Sequence, residues 1–125
     1  MVKSLVSMLT VLSLLIVGSI LETWFVNKQF KEFDGVLFEL YQKVDQEIAV
    51  EDDVLAVQKN WLDKKRVLHI FIPHNDIKEM DLWISESVTL VRDKEWKDAI
   101  SKVEVLRELS EQIPKTFRVS FENIL

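Results

Sequence analysis

The sequence contains no cysteine among its 125 residues. Without cysteine the chain forms no disulfide, and it offers neither a thiolate ligand for zinc nor a thiol nucleophile. A disulfide-stapled secreted fold is therefore excluded, as is a membrane anchor attached through a lipid-modified cysteine. Apolar packing must hold together whatever domain the chain forms.

Glycine and proline are also scarce, with two of each in the chain. A β-sandwich or an α/β domain of this size normally needs more turn-forming residues than that. The scarcity favours a small number of long helices. One small domain is all that the length allows.

A positive charge excess is missing as well, because the formal net charge is −5. Lys3 is the only charged side chain before Glu22, and removing its +1 leaves −6 for the rest of the chain. Nucleic-acid binding needs local positive charge to contact phosphates. Nucleic acid is therefore excluded as a partner, and we expect weak repulsion from anionic lipid head groups.

What the sequence does contain, at residues 4–21, is an uncharged apolar stretch of 18 residues. As a helix this stretch spans about 27 Å, close to the ~30 Å hydrocarbon core of a bilayer. Trp24 and Phe25 follow where an interfacial aromatic belt would lie. We predict an uncleaved transmembrane anchor over residues 1–21 and a helical bundle domain over residues 22–125.

The main alternative for this stretch is a cleavable signal peptide, with Val17 and Ser19 as the small residues before a cut after Ser19. No polar, turn-forming cleavage region follows, which favours the anchor. A short amino-terminal tail carrying Lys3 predicts that residues 22–125 lie outside the cytoplasm, in a single-pass protein of the cell membrane. Lys28 and Lys31 on the other flank make that charge bias small.

A helical stripe follows the anchor, with apolar residues three or four apart. Its members are Val26, Phe30, Phe33, Leu37, Leu40, Val44 and Ile48. The stripe predicts that the anchor helix continues as one rod of about 45 residues, and it forms either a bundle core or a dimer interface. Glu51, Asp52 and Asp53 fit a turn and the acidic first turn of a second helix.

Three further apolar patterns predict the remaining helices. Their members are Val54, Val57, Trp61, Leu68 and Ile72; then Ile77, Met80, Ile84, Val88 and Val91; then Trp96, Ile100, Val103, Leu106 and Ile113. Pro114 is expected to end the last helix, leaving a short tail segment, 115–125, whose Phe117 and Phe121 pack back onto the bundle. Trp61, Trp83 and Trp96 are expected in the core, and Lys64, Lys65 and Arg66 on a solvated face.

Both histidines lie in the stretch VLHIFIPHNDIKEMDLWI, residues 67–84. On one continuous helix His69 and His74 point about 140° apart, so they cannot share a metal ion. If Pro73 breaks the helix, His74, Asp76 and Glu79 could converge, and these three are the weak metal candidates. We favour a bend, with Ile70 to Ile72 in the core on one side of Pro73 and Asp76 and Glu79 forming a capping box on the other.

No catalytic, cofactor-binding or strong metal-binding residue is predicted. The chain offers no candidate serine elbow, glycine-rich oxyanion loop or phosphate cradle near the histidines. A hydrolase is accordingly disfavoured, and no cofactor is expected.

Several segments together resemble a known group of proteins: an anchor ending in GSILE, a helix with QFKEF, the core WLDKKRVLHIFIPHNDI and the ending FENIL. The chain resembles an uncharacterised family, a domain of unknown function, of small single-anchor helical membrane proteins from Gram-positive spore-forming bacteria. In similar sequences the segment around His74 often reads as an unbroken helix, so Pro73 departs from that pattern. The resemblance implies architecture and location, and it brings no activity, substrate or cofactor.

The predicted fold is all-α: an N-terminal transmembrane helix continuing into an antiparallel bundle of three to four helices, with a helix kinked or broken near Pro73. The predicted function is a non-enzymatic membrane-anchored interaction module, an accessory or scaffold subunit of a membrane complex. Its expected partners are the membrane and either another protein or a second copy of the chain. The alternative is an extracytoplasmic helical domain that senses a ligand or a metal.

Overall fold

The protein folds into four helices and, within residues 1–124, no strand. The structure is a computed structural model that describes the backbone of residues 1–124 and the side chains of residues 1–119. The helices are α1 (Val2–Asp45), α2 (Glu51–Leu68), α3 (His74–Arg92) and α4 (Trp96–Ile124). The predicted all-α fold, with a long apolar helix leading into a bundle, is confirmed.

Helix α1 is a single rod of 44 residues, as the continuous pattern predicts. Its first part is long and apolar enough to cross a membrane, and the most apolar 18-residue window is not buried at all within the chain. Its second part buries one face at the spacing of the predicted stripe, through Val26, Phe30, Phe33, Leu37, Leu40 and Val44. One helix therefore supplies both the apolar segment and the central core face.

Ile48, the last member of the predicted stripe, is 60% exposed. Helix α1 ends at Asp45, and Glu47 adopts a left-handed φ of 59°, which turns the chain away from the helix axis. Ala49 is buried instead. The prediction for Ile48 is wrong because helical spacing no longer applies beyond the end of the helix.

Ion pairs show that α1 and α2 run in opposite directions. Lys43 of α1 contacts Asp53 of α2 at 3.0 Å, whereas Glu32, earlier in α1, contacts Lys64, later in α2, at 2.9 Å. Short connections, 46–50, 69–73 and 93–95, join successive helices in the same antiparallel way. Connections this short are typical of neighbouring helices in a bundle.

Three half-buried phenylalanines meet at the end of the bundle next to the apolar segment. The Phe71 ring lies 6.1 Å from that of Phe25 in α1 and 6.4 Å from that of Phe117 in α4, centroid to centroid. We call this end the anchor-proximal end, and the end with the connections 46–50 and 93–95 the distal end. Aromatic pairs at such distances are typical of edge and tilted packing.

Trp61 occupies the middle of the core and is 1% exposed. Its ring lies 5.4 Å from Phe33 and 6.2 Å from Phe30, and its Nε1–H donates a 2.7 Å hydrogen bond to Asp81. Trp83 and Trp96 are half-buried and pack against the same core. The expectation that these three tryptophans serve the core is confirmed.

The chain breaks fully at Pro73, so the bundle has four helices. Pro73 is extended, with φ −55° and ψ 142°, and stands in the N-cap position of α3. Asp76 is not the cap, because α3 begins three residues earlier than predicted and the Asp76 N–H donates to the Pro73 carbonyl at 3.1 Å. Ile70 was expected in the core, but the turn exposes it to 69%.

A carboxylate does cap α2. Asp53 accepts a 2.8 Å hydrogen bond from the Val50 N–H, as the third helical residue of a capping box does. Burial raises the pKa of the Asp53 carboxyl, but the Val50 N–H and the Lys43 ammonium outweigh it and hold the pKa below its ordinary value. The acidic first turn predicted for this helix is confirmed.

Helix α4 continues through Pro114 to Ile124, so the prediction that Pro114 ends the helix is wrong, and so is a separate tail segment from residue 115. Proline inside a helix costs about 3 kcal/mol or more, because it removes one hydrogen bond and crowds the preceding turn. Here Pro114 is buried and Phe117, one turn later, packs against the core. That packing offsets the cost. The predicted role of Phe121 lies outside the described side chains.

Pro114→Ala is expected to stabilise the bundle by about 1–3 kcal/mol, since alanine restores the N–H that the Ser110 carbonyl lacks. The measurement is the denaturant midpoint of the full-length chain in detergent. Pro73→Ala is the matched control, because Pro73 stands outside the helix interior and its loss is expected to destabilise by about 0.4–1 kcal/mol. A lower midpoint for Pro114→Ala would contradict this expectation. It would mean that packing of the proline ring stabilises the bundle by more than the missing hydrogen bond destabilises it.

Candidate functional site

The weak metal candidates do not form a compact group. His74 and Glu79 are exposed and Asp76 is half-buried. Throughout the described part of the chain, no three histidine or carboxylate side chains are arranged to hold a metal ion. The other histidine, His69, is exposed, with its Nδ1 3.2 Å from the Lys65 carbonyl oxygen.

Two lysines of the predicted solvated face instead link α2 to its neighbours. The Lys64 Nζ donates to Gln29 at 3.1 Å and to Glu32 at 2.9 Å, and this ammonium lowers the pKa of the Glu32 carboxyl below its ordinary value. The Lys65 Nζ donates to Asp81 at 2.7 Å. The prediction that these side chains only face solvent is therefore wrong for both lysines. The sequence pattern could not reveal these contacts, because the partners lie far from the lysines along the chain.

A cleft of about 710 Å³ lies between α1 and α4. Four cations and four carboxylates line it, so its walls carry no net charge. The cations are Lys31, Arg107, Lys115 and Arg118, and the carboxylates are Asp34, Glu104, Glu108 and Glu111. Sequence reasoning missed this cleft because its two walls lie about seventy residues apart along the chain.

Arg107 joins the two walls at the middle of the cleft. Its Nε–H donates to Asp34 at 3.3 Å, and its guanidinium lies 4.9 Å from the Phe38 ring and 5.5 Å from the Tyr41 ring. A guanidinium over aromatic faces gains a cation–π contribution beyond the ion pair. Arg107 thus links α4 to α1, and charged side chains line the cleft on both sides of this contact.

Ser110 is the unusual polar residue of the cleft. It is 3% exposed, and its hydroxyl has no hydrogen-bond partner. A buried hydroxyl without a partner costs about 1–3 kcal/mol, so a polar group entering the cleft would be favoured there. Neither histidine lines the cleft, so no imidazole stands beside Ser110 to take its proton. The arrangement is suited to binding.

The model of a protein family, described as a domain of unknown function (DUF4363), matches residues 23–124. The chain belongs to the DUF4363 family. The DUF4363 match contains the core residues and every residue of the cleft named above, and begins just after the apolar segment. The expected membership of an uncharacterised family is confirmed. No curated protein and no solved structure matches the chain.

Proposed function

We propose that this DUF4363 protein is a non-enzymatic, single-pass membrane protein whose bundle binds a protein partner beside the membrane, as an accessory or scaffold subunit of a membrane complex. One observation carries the proposal: α1 runs without a break from the apolar segment into the bundle core. Because a continuous helix holds its two parts at a fixed distance and rotation, the bundle presents defined faces relative to the bilayer. Such placement suits a subunit that meets its partner in one orientation.

The distal end of the bundle supports this proposal. Ile48 and Val50 are exposed there, and five carboxylates lie between residues 45 and 53 without a single cation. Exposed apolar side chains rimmed by charge are typical of protein–protein contact sites. Neither histidine lines the cleft that contains Ser110, and this favours binding over catalysis.

We further propose that the anchor is retained and that the bundle lies outside the cytoplasm, because Lys3 favours a cytoplasmic amino terminus. The cysteine-free chain allows a direct test. Val50→Cys is expected to react with a membrane-impermeant maleimide in intact cells, and Val2→Cys only after permeabilisation. Reaction of Val2→Cys alone in intact cells would reverse the orientation, and an intact mass lacking residues 1–19 would contradict the retained anchor.

The test of the proposed function is brief crosslinking in the protein's own membranes, followed by gentle detergent extraction, pull-down and mass spectrometry. A reproducible partner at near-equal stoichiometry is expected. A matched pull-down with Ile48→Asp should lose that partner, whereas Leu82→Asp, at an exposed apolar position on α3, should keep it. Recovery of the chain alone would contradict the accessory-subunit proposal.

A second candidate function, a small-ligand-binding domain, is favoured by the unpartnered Ser110 hydroxyl in the cleft between α1 and α4. Native mass spectrometry of protein released from its own membranes tests it. A bound small molecule that disappears in Ser110→Phe, but persists in the exposed-surface variant Leu62→Ala, would support it. An unliganded mass for the natural chain would count against it.

A further inference from the structure

We propose that the anchor-proximal end of the bundle docks onto anionic phospholipid head groups of the membrane that α1 spans. The inference rests on the proposed membrane anchoring and adds a second contact with the bilayer. It assigns Ile70 and Trp24 as apolar contacts, and Lys28, Arg66 and Arg118 as the groups that meet lipid phosphate.

Depth is the first argument. Trp24 and Phe25 lie about 4–6 Å beyond Leu21 along the helix, at ~1.5 Å per residue, and the polar zone of a bilayer is roughly 5–7 Å thick on each side. The Phe71 ring lies 6.1 Å from that of Phe25. The neighbouring residue, Ile70, therefore reaches the head-group zone while the anchor is in place.

Exposure is the second argument. Ile70 is 69% exposed and Trp24 is 59% exposed. The first sits in the connection between α2 and α3 and the second follows the apolar segment, so both lie at one end of the bundle. Amphipathic aromatic rings and apolar tips are favoured at the membrane–water interface.

Charge distribution is the third argument. The three segments that meet at the anchor-proximal end, 23–31, 64–75 and 112–121, contain seven lysines and arginines and no aspartate or glutamate. A carboxylate flanks each end of every one of these segments: Glu22, Glu32, Asp63, Asp76, Glu111 and Glu122. Lys64, Lys65 and Lys115 are paired with carboxylates, which leaves four cations without an ion pair in the described residues. At the distal end, residues 45–53 carry five carboxylates and no cation. With the six flanking carboxylates counted, the anchor-proximal segments carry +1, whereas residues 45–53 carry −5, so the repulsion from anionic lipid expected of the whole domain is much weaker at this end.

Three of these cations are available to lipid. The Lys28 ammonium lies 5.1 Å from the centre of the Trp24 ring, which places it at the depth of that ring. Arg66 and Arg118 are exposed and form no ion pair with the described residues. Long basic side chains at such positions extend toward the head groups while their stems cover apolar surface.

The experiment uses the full-length chain reconstituted into phosphatidylcholine vesicles, with and without phosphatidylglycerol. A nitrobenzoxadiazole dye on Ile70→Cys reports contact, and the same dye on Ile48→Cys, an equally exposed site at the distal end, is the control. With phosphatidylglycerol present, we expect blue-shifted emission and several-fold stronger quenching by head-group spin-labelled lipid at position 70 than at position 48. Equal quenching at the two positions would overturn the docking.

Charge reversal separates docking from anchoring. The double variant Arg66→Glu with Arg118→Glu should remove the blue shift of the dye at position 70. The control double variant at the distal end, Arg92→Glu with Lys94→Glu, should leave that blue shift unchanged. Flotation of the vesicles after alkaline washing reports the anchor independently. A chain that floats with an unshifted dye overturns docking alone, and a chain that fails to float overturns the anchored function and the docking together.

Discussion

Trp61→Ala is expected to lower the free energy of unfolding of the bundle by about 3–5 kcal/mol. The indole is almost fully buried, packs against Phe30 and Phe33 in tilted geometry, and donates to Asp81. Alanine removes this packing and leaves both a cavity and a half-buried carboxylate that has lost one donor. Domains of this size have total stabilities of about 5–15 kcal/mol, so the variant stands close to unfolding.

Thermal unfolding of the full-length chain in detergent, followed by circular dichroism, measures this effect. A loss of 3–5 kcal/mol corresponds to a fall in Tm of roughly 15–30 °C. Trp61→Phe should lose about 1–2 kcal/mol, because it keeps the aromatic contacts and loses the hydrogen bond to Asp81. Leu62→Ala, at the adjacent 46% exposed position, should change stability by less than about 1 kcal/mol. Equal effects at positions 61 and 62 would contradict the packing of this core.

The second large effect concerns the proposed membrane anchor. Leu12 and Leu15 lie near the middle of the apolar stretch and are exposed within the chain. An arginine at the centre of a spanning helix costs about 2.5–3.5 kcal/mol on the insertion scale. Leu12→Arg with Leu15→Arg is therefore expected to move most of the protein from the alkali-resistant membrane fraction to the soluble fraction.

Fractionation by alkaline carbonate extraction and immunoblotting measures this change. Leu12→Ala with Leu15→Ala is the control, since alanine keeps the stretch free of charge and should remain in the membrane fraction. The Tm of the arginine variant should match that of the natural chain, because the bundle core begins only at Val26. Membrane retention of the arginine variant at the natural level would contradict a spanning role for residues 4–21.

Periodicity predicted most of the fold, because an apolar residue every three or four positions can bury only one face of a helix. It identified the core residues of α1 from Val26 to Val44 and those of the later helices. It went wrong at element ends, as at Ile48 and Ile70, where turns replace helical spacing. Local proline chemistry predicted a helix end at Pro114, whereas the packing of Phe117 against the core sustains the helix in spite of the proline.

The candidate sites were harder to predict, because each combines residues from distant segments. The ion pair of Arg107 with Asp34 joins α4 to α1, which are neighbours in the bundle but are 73 residues apart in sequence at this pair. Neither sequence segment alone contains a pattern that predicts it. The cations at the anchor-proximal end have the same origin, since each of the three segments contributes only two or three lysines or arginines. Net charge is a sum over the whole domain, so it does not show where the cations and the carboxylates lie in the fold.

The continuity of α1 is the central claim, and hydrogen–deuterium exchange of the full-length chain in nanodiscs tests it most directly. The expected result is slow amide exchange without interruption from residue 4 to residue 44, with the bilayer protecting the first part and the bundle protecting the second. Slow exchange through residues 22–25 is the decisive feature, because Phe25 already packs against Phe71 there. Fast exchange confined to residues 22–25 would reveal a hinge between anchor and bundle and would contradict the account.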